Sequence, residues 1–223
     1  MTKVLVLDFD NCIVLDEKIG TGSEEVKDEA WFTVFPEYSR VELEPVLEQA
    51  KKDIAGGKGD RKDIVERVSK HFNVAEEKIP QEIINRCERF NQVLQEGIQK
   101  IGVSKKIQDT LAQLSKKLPI YVNTATPRQG ALESLDAIGI TSLFKKIYGR
   151  PGTKVENLQS AIKDENVKPE KLLFVDDQES GWIAAQVVGC GFIGIHTARN
   201  RKWKEKDQPF PIIRSLTELL TMV

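Results

Sequence analysis

The chain has 223 residues, of which 40% are apolar and 30% are charged, and its formal net charge at pH 7 is −1. Chains of this length and composition can bury a substantial core as one large domain or two small ones. The balanced charge offers no basic surface for nucleic acid, and no apolar run approaches the roughly 20 residues that span a bilayer. We therefore expect a globular protein without a nucleic-acid or membrane partner.

The cysteines and the N-terminus predict a cytoplasmic location. Cys12, Cys87 and Cys190 are an odd number without close pairing. They indicate a reducing compartment, and neither a disulfide framework nor a zinc site. By Val4 the chain enters an apolar strand, with no charged region followed by an apolar signal core.

The first predicted element is a strand from Val4 to Leu7, which leads into Asp8 and Asp10. Four consecutive branched aliphatic residues are typical of a strand covered on both faces, as in the parallel sheet of an α/β domain. Ligand sites in such sheets lie at the carboxyl ends of the strands. The two acids therefore suit a site in which one carboxylate attacks and binds metal while the other transfers protons. The alternative is that they begin a solvated loop.

A long helical stretch interrupts the α/β pattern. From about Glu24 to Lys100, apolar residues recur at helical spacing without strand-like alternation. A connection between a strand and a helix needs only a few residues, so this stretch is predicted to be an insertion with its own core. We expect an α/β fold with a Rossmann-like parallel-sheet core, 1–15 and 100–223, and an inserted α-helical cap domain, 16–99.

After the insertion, helices and strands alternate again, as in a parallel α/β sheet. Ser104 is a predicted N-cap, and Gly139 and Gly189 are predicted to end two later helices. The predicted strands are 119–123, 172–175 and 192–195, and the predicted helices are 104–115, 127–139, 155–166 and a segment ending at Gly189.

Polar residues that follow these strands, or open a helix, are candidates for anion and cation binding. The Thr124 hydroxyl and backbone N–H groups of the turn, such as that of Ala125, can bind an anionic oxygen; alternatively, Thr124 or Thr126 caps a helix. Lys154 lies where a loop enters a helix, and a cation there opposes the helix dipole, although it can also be an ordinary surface lysine. Adjacent acids at a strand end repel each other unless a cation compensates them, and such a pair is Asp176 and Asp177.

Taken in chain order, these positions resemble the four motifs of the haloacid dehalogenase superfamily. The resemblance covers nearly the whole chain and is greatest to the Mg²⁺-dependent phosphatases with a helical cap, the group of phosphoglycolate phosphatase and β-phosphoglucomutase. The positions that carry it are Asp8 with Asp10, Thr124, Lys154, and Asp176 with Asp177.

The resemblance implies a role for each position. Asp8 would be the nucleophile that forms an aspartyl-phosphate, and Asp10 the general acid and base. Thr124 would bind the transferring phosphoryl group, while Lys154 would neutralise its charge and steady Asp8.

The resemblance also implies a Mg²⁺ site, because Asp177 matches the position of a direct metal ligand and Asp176 would support the cation from beside it. Oxygen ligands from Asp8, the Asp10 carbonyl, Asp177, water and phosphate suit Mg²⁺. Positive charge is needed, since a carboxylate that attacks a phosphate dianion meets like-charge repulsion.

The chain departs from the family pattern at three places. Asn11 and Cys12 replace a Gly-Thr pair whose hydroxyl commonly orients the second aspartate, and a thiol is a much weaker donor. Gly181 stands where many members carry a further acid, whereas Asp176 replaces a common glycine. We expect the Glu179 carboxylate to supply, outside the direct metal ligands, the negative charge that is missing at position 181. We expect Cys12 to be a packed residue without a nucleophilic role.

Substrate specificity is expected from the cap. Lys58 and Arg61, in a glycine-rich loop between helices, are candidates for binding an anionic part of the substrate; alternatively, they belong to a solvated turn. Arg128 is a further candidate for the phosphate, or it faces solvent.

The predicted function is Mg²⁺-dependent hydrolysis of a small phosphorylated metabolite. A sugar phosphomutase and a non-catalytic phosphate-binding or regulatory protein are the alternatives. Asp10 argues against a dehalogenase, whose chemistry needs neither a second acid nor a metal. The sequence leaves the substrate and the oligomeric state open.

Overall fold

The computed structural model describes residues 2–54, 59–205 and 207–223. They form two compact units, one made of Met1–Glu24 with Ile98–Val223 and the other of Glu25–Gly97. The division of the chain into a core domain, 1–15 with 100–223, and a cap domain, 16–99, remains a prediction.

The first unit contains a six-stranded sheet in which every adjacent pair of strands is parallel. The strands of the chain are β1 Val4–Leu7, β2 Leu15–Asp16, β3 Thr21–Gly22, β4 Ile120–Pro127, β5 Lys146–Arg150, β6 Leu172–Asp176, β7 Gly191–Ile195 and β8 Ile212–Ile213. In the sheet the strand order is β5-β4-β1-β6-β7-β8. A two-stranded antiparallel hairpin, β2–β3, lies outside this sheet. The predicted α/β class and parallel sheet are therefore confirmed.

Nine α-helices occur in the described residues, and the second unit is helical. The helices are α1 Ser23–Val34, α2 Arg40–Asp53, α3 Arg61–His71, α4 Ile79–Ile101, α5 Lys105–Ser115, α6 Arg128–Ala137, α7 Lys154–Glu165, α8 Glu179–Val188 and α9 Lys202–Glu205.

Local sequence explains where several helices begin and end. Ser104 accepts a hydrogen bond from the Ile107 N–H and caps α5, as predicted. Thr153 forms a capping box with Glu156 at the start of α7. Gly189 adopts a left-handed conformation, φ 79°, and ends α8.

The core of the first unit explains why the site lies at a strand edge. All four residues of β1 are fully buried, because strands pair with β1 on both edges and helices cover the sheet. In the second unit, the buried faces of α2 and α3 pack on each other, and the Trp31 and Phe90 rings lie 4.5 Å apart.

Candidate active site

Three neighbouring strands of the first unit bring the predicted motif residues to one edge of the sheet. Asp8 follows β1 directly, Thr124 lies in β4, and Asp176 is the last residue of β6. Asp177 comes next in the chain, and Lys154 is the first residue of α7. The carboxyl ends of parallel strands meet at the same edge, so residues more than 100 positions apart form one site.

A buried acidic cluster lies at this edge. Asp8, Asp176 and Asp177 each offer a carboxylate oxygen within 4.8 Å of the others, and all three are at most 2% exposed. Burial, and after it the proximity of Asp176, raises the pKa of Asp177 to about 8. Burial likewise raises the pKa of Asp8, a shift that Lys154 opposes and the other acids increase. The ionised cluster therefore needs positive charge.

Lys154 supplies part of that charge. Its ammonium is 3.2 Å from Asp8 Oδ1 and donates a hydrogen bond to Asp176. Burial alone would lower the pKa of Lys154, but Asp176 and Asp8 together raise it, so the side chain stays cationic. These contacts explain a lysine in the first turn of a helix, where the dipole disfavours a cation.

The donor set fits a hard divalent cation. Among the described residues, Asp177 Oδ1 is buried without a hydrogen-bond partner and Asp8 Oδ1 faces only the Lys154 ammonium, whereas Asp176 already accepts from the Gln178 N–H and from Lys154. Two like charges about 4 Å apart repel by about 4 kcal/mol at an effective dielectric constant of about 20, so one lysine does not offset three clustered acids. Oxygen ligands of this kind suit Mg²⁺.

Asp10 is held separately, by hydroxyl groups. Ser23 Oγ donates to Asp10 Oδ1 and Thr126 Oγ1 donates to Asp10 Oδ2, each at 2.7 Å. Thr124 Oγ1 is 3.4 Å from the same Oδ2. The chain thus provides other hydroxyl donors to the second aspartate, although Cys12 replaces the threonine common in the family.

Cys12 is a packed residue, as predicted. It is fully buried, and its thiol donates to the Val175 carbonyl at 3.7 Å. Burial raises the pKa of this thiol, so it stays protonated and is a poor nucleophile. Asn11 adopts a left-handed conformation, φ 51°, in place of the usual glycine, and its side chain accepts from the Glu24 N–H.

Gly181 is needed because the Asp176 carboxylate occupies the adjacent space. A Cβ at position 181 would lie 2.2 Å from Asp176 Oδ2. An acid at 176 and a side chain at 181 are therefore mutually exclusive in this arrangement. Glu179 is exposed and, among the described residues, forms no hydrogen bond or ion pair with the cluster; its outer role remains a prediction.

Three further predicted site residues, Thr124, Ala125 and Arg128, lie within or just after an irregular part of β4. The pairing of β4 with β5 is interrupted between Asn123 and Pro127. Within this interruption Thr124 is buried and Ala125 is exposed. Arg128 is exposed as well, and its Nε donates to the Ile147 carbonyl.

Arg61 is the predicted cap residue that lies within the described part of the chain. The Arg61 guanidinium packs over the Phe90 ring at 3.9 Å and donates to Asn91. Burial lowers its pKa, and within 2–54, 59–205 and 207–223 it pairs with no carboxylate. Lys58 lies outside the described residues.

Sequence reasoning missed several residues that contact the site. Ser23 carried no signal, since it is only the first residue of α1, 13 positions after Asp10. Thr126 was predicted only as a possible helix cap, and this is wrong, because Pro127 precedes α6 without a side-chain cap. Its position two residues after Thr124 in the same strand could have indicated a shared face.

The sequence model of the family described as haloacid dehalogenase-like hydrolase matches residues 5–195. The chain belongs to this family. The match includes every motif position named above and most of the chain. The protein is therefore a haloacid dehalogenase-like hydrolase, and the resemblance first seen in its motifs is confirmed.

Solved structures share the fold of this haloacid dehalogenase-like hydrolase over nearly their whole length. YfnB from Bacillus subtilis, solved with bound magnesium, is 17% identical, with 99% and 98% of the two chains covered and a TM-score of 0.71. A predicted phosphoglycolate phosphatase from Haemophilus somnus is 16% identical, with 99% and 97% covered and a TM-score of 0.66. A β-phosphoglucomutase from Clostridium difficile is 17% identical, with 98% and 93% covered and a TM-score of 0.63.

No curated protein sequence matches this haloacid dehalogenase-like hydrolase at a significant level. In the part of the chain that the structure describes, none of the helices has the length and apolar character required to cross a bilayer.

Proposed function

We propose that this protein is a Mg²⁺-dependent phosphomonoester hydrolase that acts on a small phosphorylated metabolite through an aspartyl-phosphate. The observation that carries the proposal is the separation of its acids into two environments. In the described part of the chain, Asp177 Oδ1 is buried without a hydrogen-bond partner and Asp8 Oδ1 faces only the Lys154 ammonium, whereas Asp10 is held by two hydroxyl groups. One environment suits a cation and nucleophilic attack, and the other suits proton transfer.

The two half-reactions follow from these positions. Asp8 attacks phosphorus, so an Asp8–phosphorus bond forms while the bond from phosphorus to the leaving oxygen breaks, and Asp10 protonates the leaving alcohol. Asp10 then takes a proton from water, whose oxygen attacks phosphorus and releases Asp8. Lys154 offsets negative charge beside Asp8 throughout.

The bound phosphoryl group needs further partners. The Thr124 hydroxyl and the Ala125 N–H are proposed to bind its oxygens, with Arg128 as an additional cation. Mg²⁺, when bound, would supply the remaining positive charge through Asp8, the Asp10 carbonyl and Asp177, with Asp176 beside them.

We also propose a reducing, cytoplasmic location for the protein. Its three cysteines support this proposal, since Cys12, Cys87 and Cys190 are all free thiols.

The central test is release of p-nitrophenol from p-nitrophenyl phosphate. We expect steady turnover with Mg²⁺, loss of turnover in chelator, and recovery when excess Mg²⁺ is restored. Undiminished activity in chelator would contradict the metal requirement. A burst without turnover would favour a phosphomutase, which returns the phosphoryl group to a substrate, and no release from any of a panel of phosphorylated metabolites would favour a non-catalytic role.

The second unit is proposed to act as a cap that sets specificity, and Arg61 is its best-supported candidate. Its partly buried guanidinium contacts the Phe90 ring and Asn91 but, among the described residues, pairs with no carboxylate, so an anionic group of the substrate would compensate its charge. Lys58 is proposed as a second cation of the same loop.

We expect Arg61→Ala to lower kcat/KM for the physiological phosphate at least tenfold, about 1.4 kcal/mol of transition-state stabilisation. It should barely change hydrolysis of p-nitrophenyl phosphate, which has no remote anionic group to bind. Steady-state kinetics on both substrates measure the difference.

Arg67→Ala is the matched control for this prediction. It removes an arginine from the same helix, but Arg67 already pairs with Asp53 at 3.1 Å and is half exposed. If Arg61→Ala lowers kcat/KM equally for both substrates, or for neither, Arg61 has a structural role and does not bind substrate.

A further inference from the structure

A turn after β7 contacts the backbone of Asp177. In this turn Asn200 is 9% exposed, and each polar atom of its side-chain amide forms a hydrogen bond. Its Nδ2 donates to the carbonyls of Asp177 and Ile195, both at 2.8 Å. Its Oδ1 accepts from the Thr197 N–H, also at 2.8 Å.

These bonds continue the sheet beyond its last paired residues. The pairing of β6 with β7 ends at Asp176 and Gly194. Asp177 follows the end of β6 and Ile195 is the last residue of β7, and the Asn200 amide connects their carbonyls. A side chain here replaces the backbone partner that Asp177 loses at the strand end.

Within the described residues, Asp177 Oδ1 has no hydrogen-bond partner of its own that would orient the carboxylate, so the Asn200 bond to the Asp177 carbonyl is a contact that can fix this residue. The turn is itself anchored: the Ala198 N–H donates to the Gly20 carbonyl at 2.7 Å, and Thr197 is fully buried.

We propose that Asn200 is a positioning residue for Asp177, which it holds where the Asp177 carboxylate takes up Mg²⁺. The proposal rests on the metal site of the proposed function, but not on hydrolysis. Groups that orient a metal ligand from outside typically contribute about 10–100-fold to metal affinity.

The test is the Mg²⁺ dissociation constant, measured by isothermal titration calorimetry without substrate. We expect Asn200→Ala to weaken Mg²⁺ binding about tenfold or more, and saturating Mg²⁺ to restore most of kcat. Asn200→Ser, which retains one donor, should lie between Asn200→Ala and the wild type. Circular dichroism checks that each variant is folded.

Leu111→Ala is the control for general destabilisation. Leu111 is fully buried in α5, and its truncation should lower the unfolding temperature by leaving a cavity in the core, without contact to the acidic cluster. Unchanged Mg²⁺ affinity in folded Asn200→Ala would overturn the proposal, as would an equal loss in Leu111→Ala or failure of both Asn200 variants to fold.

The outcomes separate this proposal from the proposed function. If the wild type binds Mg²⁺ but hydrolyses no phosphate, the proposed function fails while the Asn200 comparison still stands. If the wild type binds no Mg²⁺, both fail.

Discussion

Asp8→Asn is expected to abolish phosphatase activity, with a loss in kcat on the order of 10⁴-fold or more, as when other enzymes lose their nucleophile. An amide is a poor nucleophile and a weaker metal ligand than a carboxylate. Steady-state hydrolysis of p-nitrophenyl phosphate at saturating Mg²⁺ measures the loss.

The same variant should fold normally. The change is nearly isosteric, and it relieves repulsion of Asp8 by Asp176, Asp10 and Asp177. Lys154 keeps Asp176 as its partner. Without metal, we therefore expect thermal unfolding of Asp8→Asn at a temperature no lower than that of the wild type, whereas added Mg²⁺ should stabilise the wild type more.

Asp16→Asn is the matched control for loss of an aspartate charge. Asp16 lies in β2, is partly exposed, and accepts from the Lys18 N–H rather than joining the cluster. Its replacement should leave turnover unchanged. Turnover of Asp8→Asn within tenfold of the wild type would exclude Asp8 as the nucleophile.

The parts of the fold that were predicted are those with a strong local pattern. β1 and the first four residues of β6 are continuous apolar runs, and α5 and α8 each have a cap residue at one end. β5 was missed because charged residues bound it and Gly149 interrupts it. The hairpin β2–β3 and β8 have only two residues per strand, too few to show a period.

Some residues of the candidate site were likewise predictable from a local sequence pattern, and others were not. Asp8 and Asp177 each follow an apolar strand, so a local pattern is enough to locate them. Ser23 and Asn200 reach the site only because the chain folds back on itself, 13 residues after Asp10 and 23 residues after Asp177. Sequence periodicity does not predict these two contacts, because they depend on how turns pack beyond the strand ends.

Asp10→Asn should separate proton transfer from metal binding. For an alkyl phosphate, whose leaving oxygen needs a proton, we expect kcat to fall by about 10²–10⁴-fold. p-Nitrophenolate leaves without protonation, so the first half-reaction should survive with that substrate. The second should be slow, because no carboxylate then takes the proton from water. Stopped-flow measurement should therefore record a burst of about one p-nitrophenolate per enzyme, followed by slow turnover.

The hydroxyl partners of Asp10 provide the control for that experiment. Ser23 and Thr126 each donate to one of its carboxylate oxygens, and hydroxyl groups can rotate to suit an amide, so Asp10→Asn should keep its fold. Thr126→Val leaves the carboxylate but removes one donor, and should cause a smaller loss with the same dependence on leaving group. Thr126→Ser, which keeps the hydroxyl, should resemble the wild type. Equal losses of burst and steady-state rates for both substrates in Asp10→Asn would mean that Asp10 only holds the metal, because a group that transfers no proton has no reason to distinguish the two leaving groups.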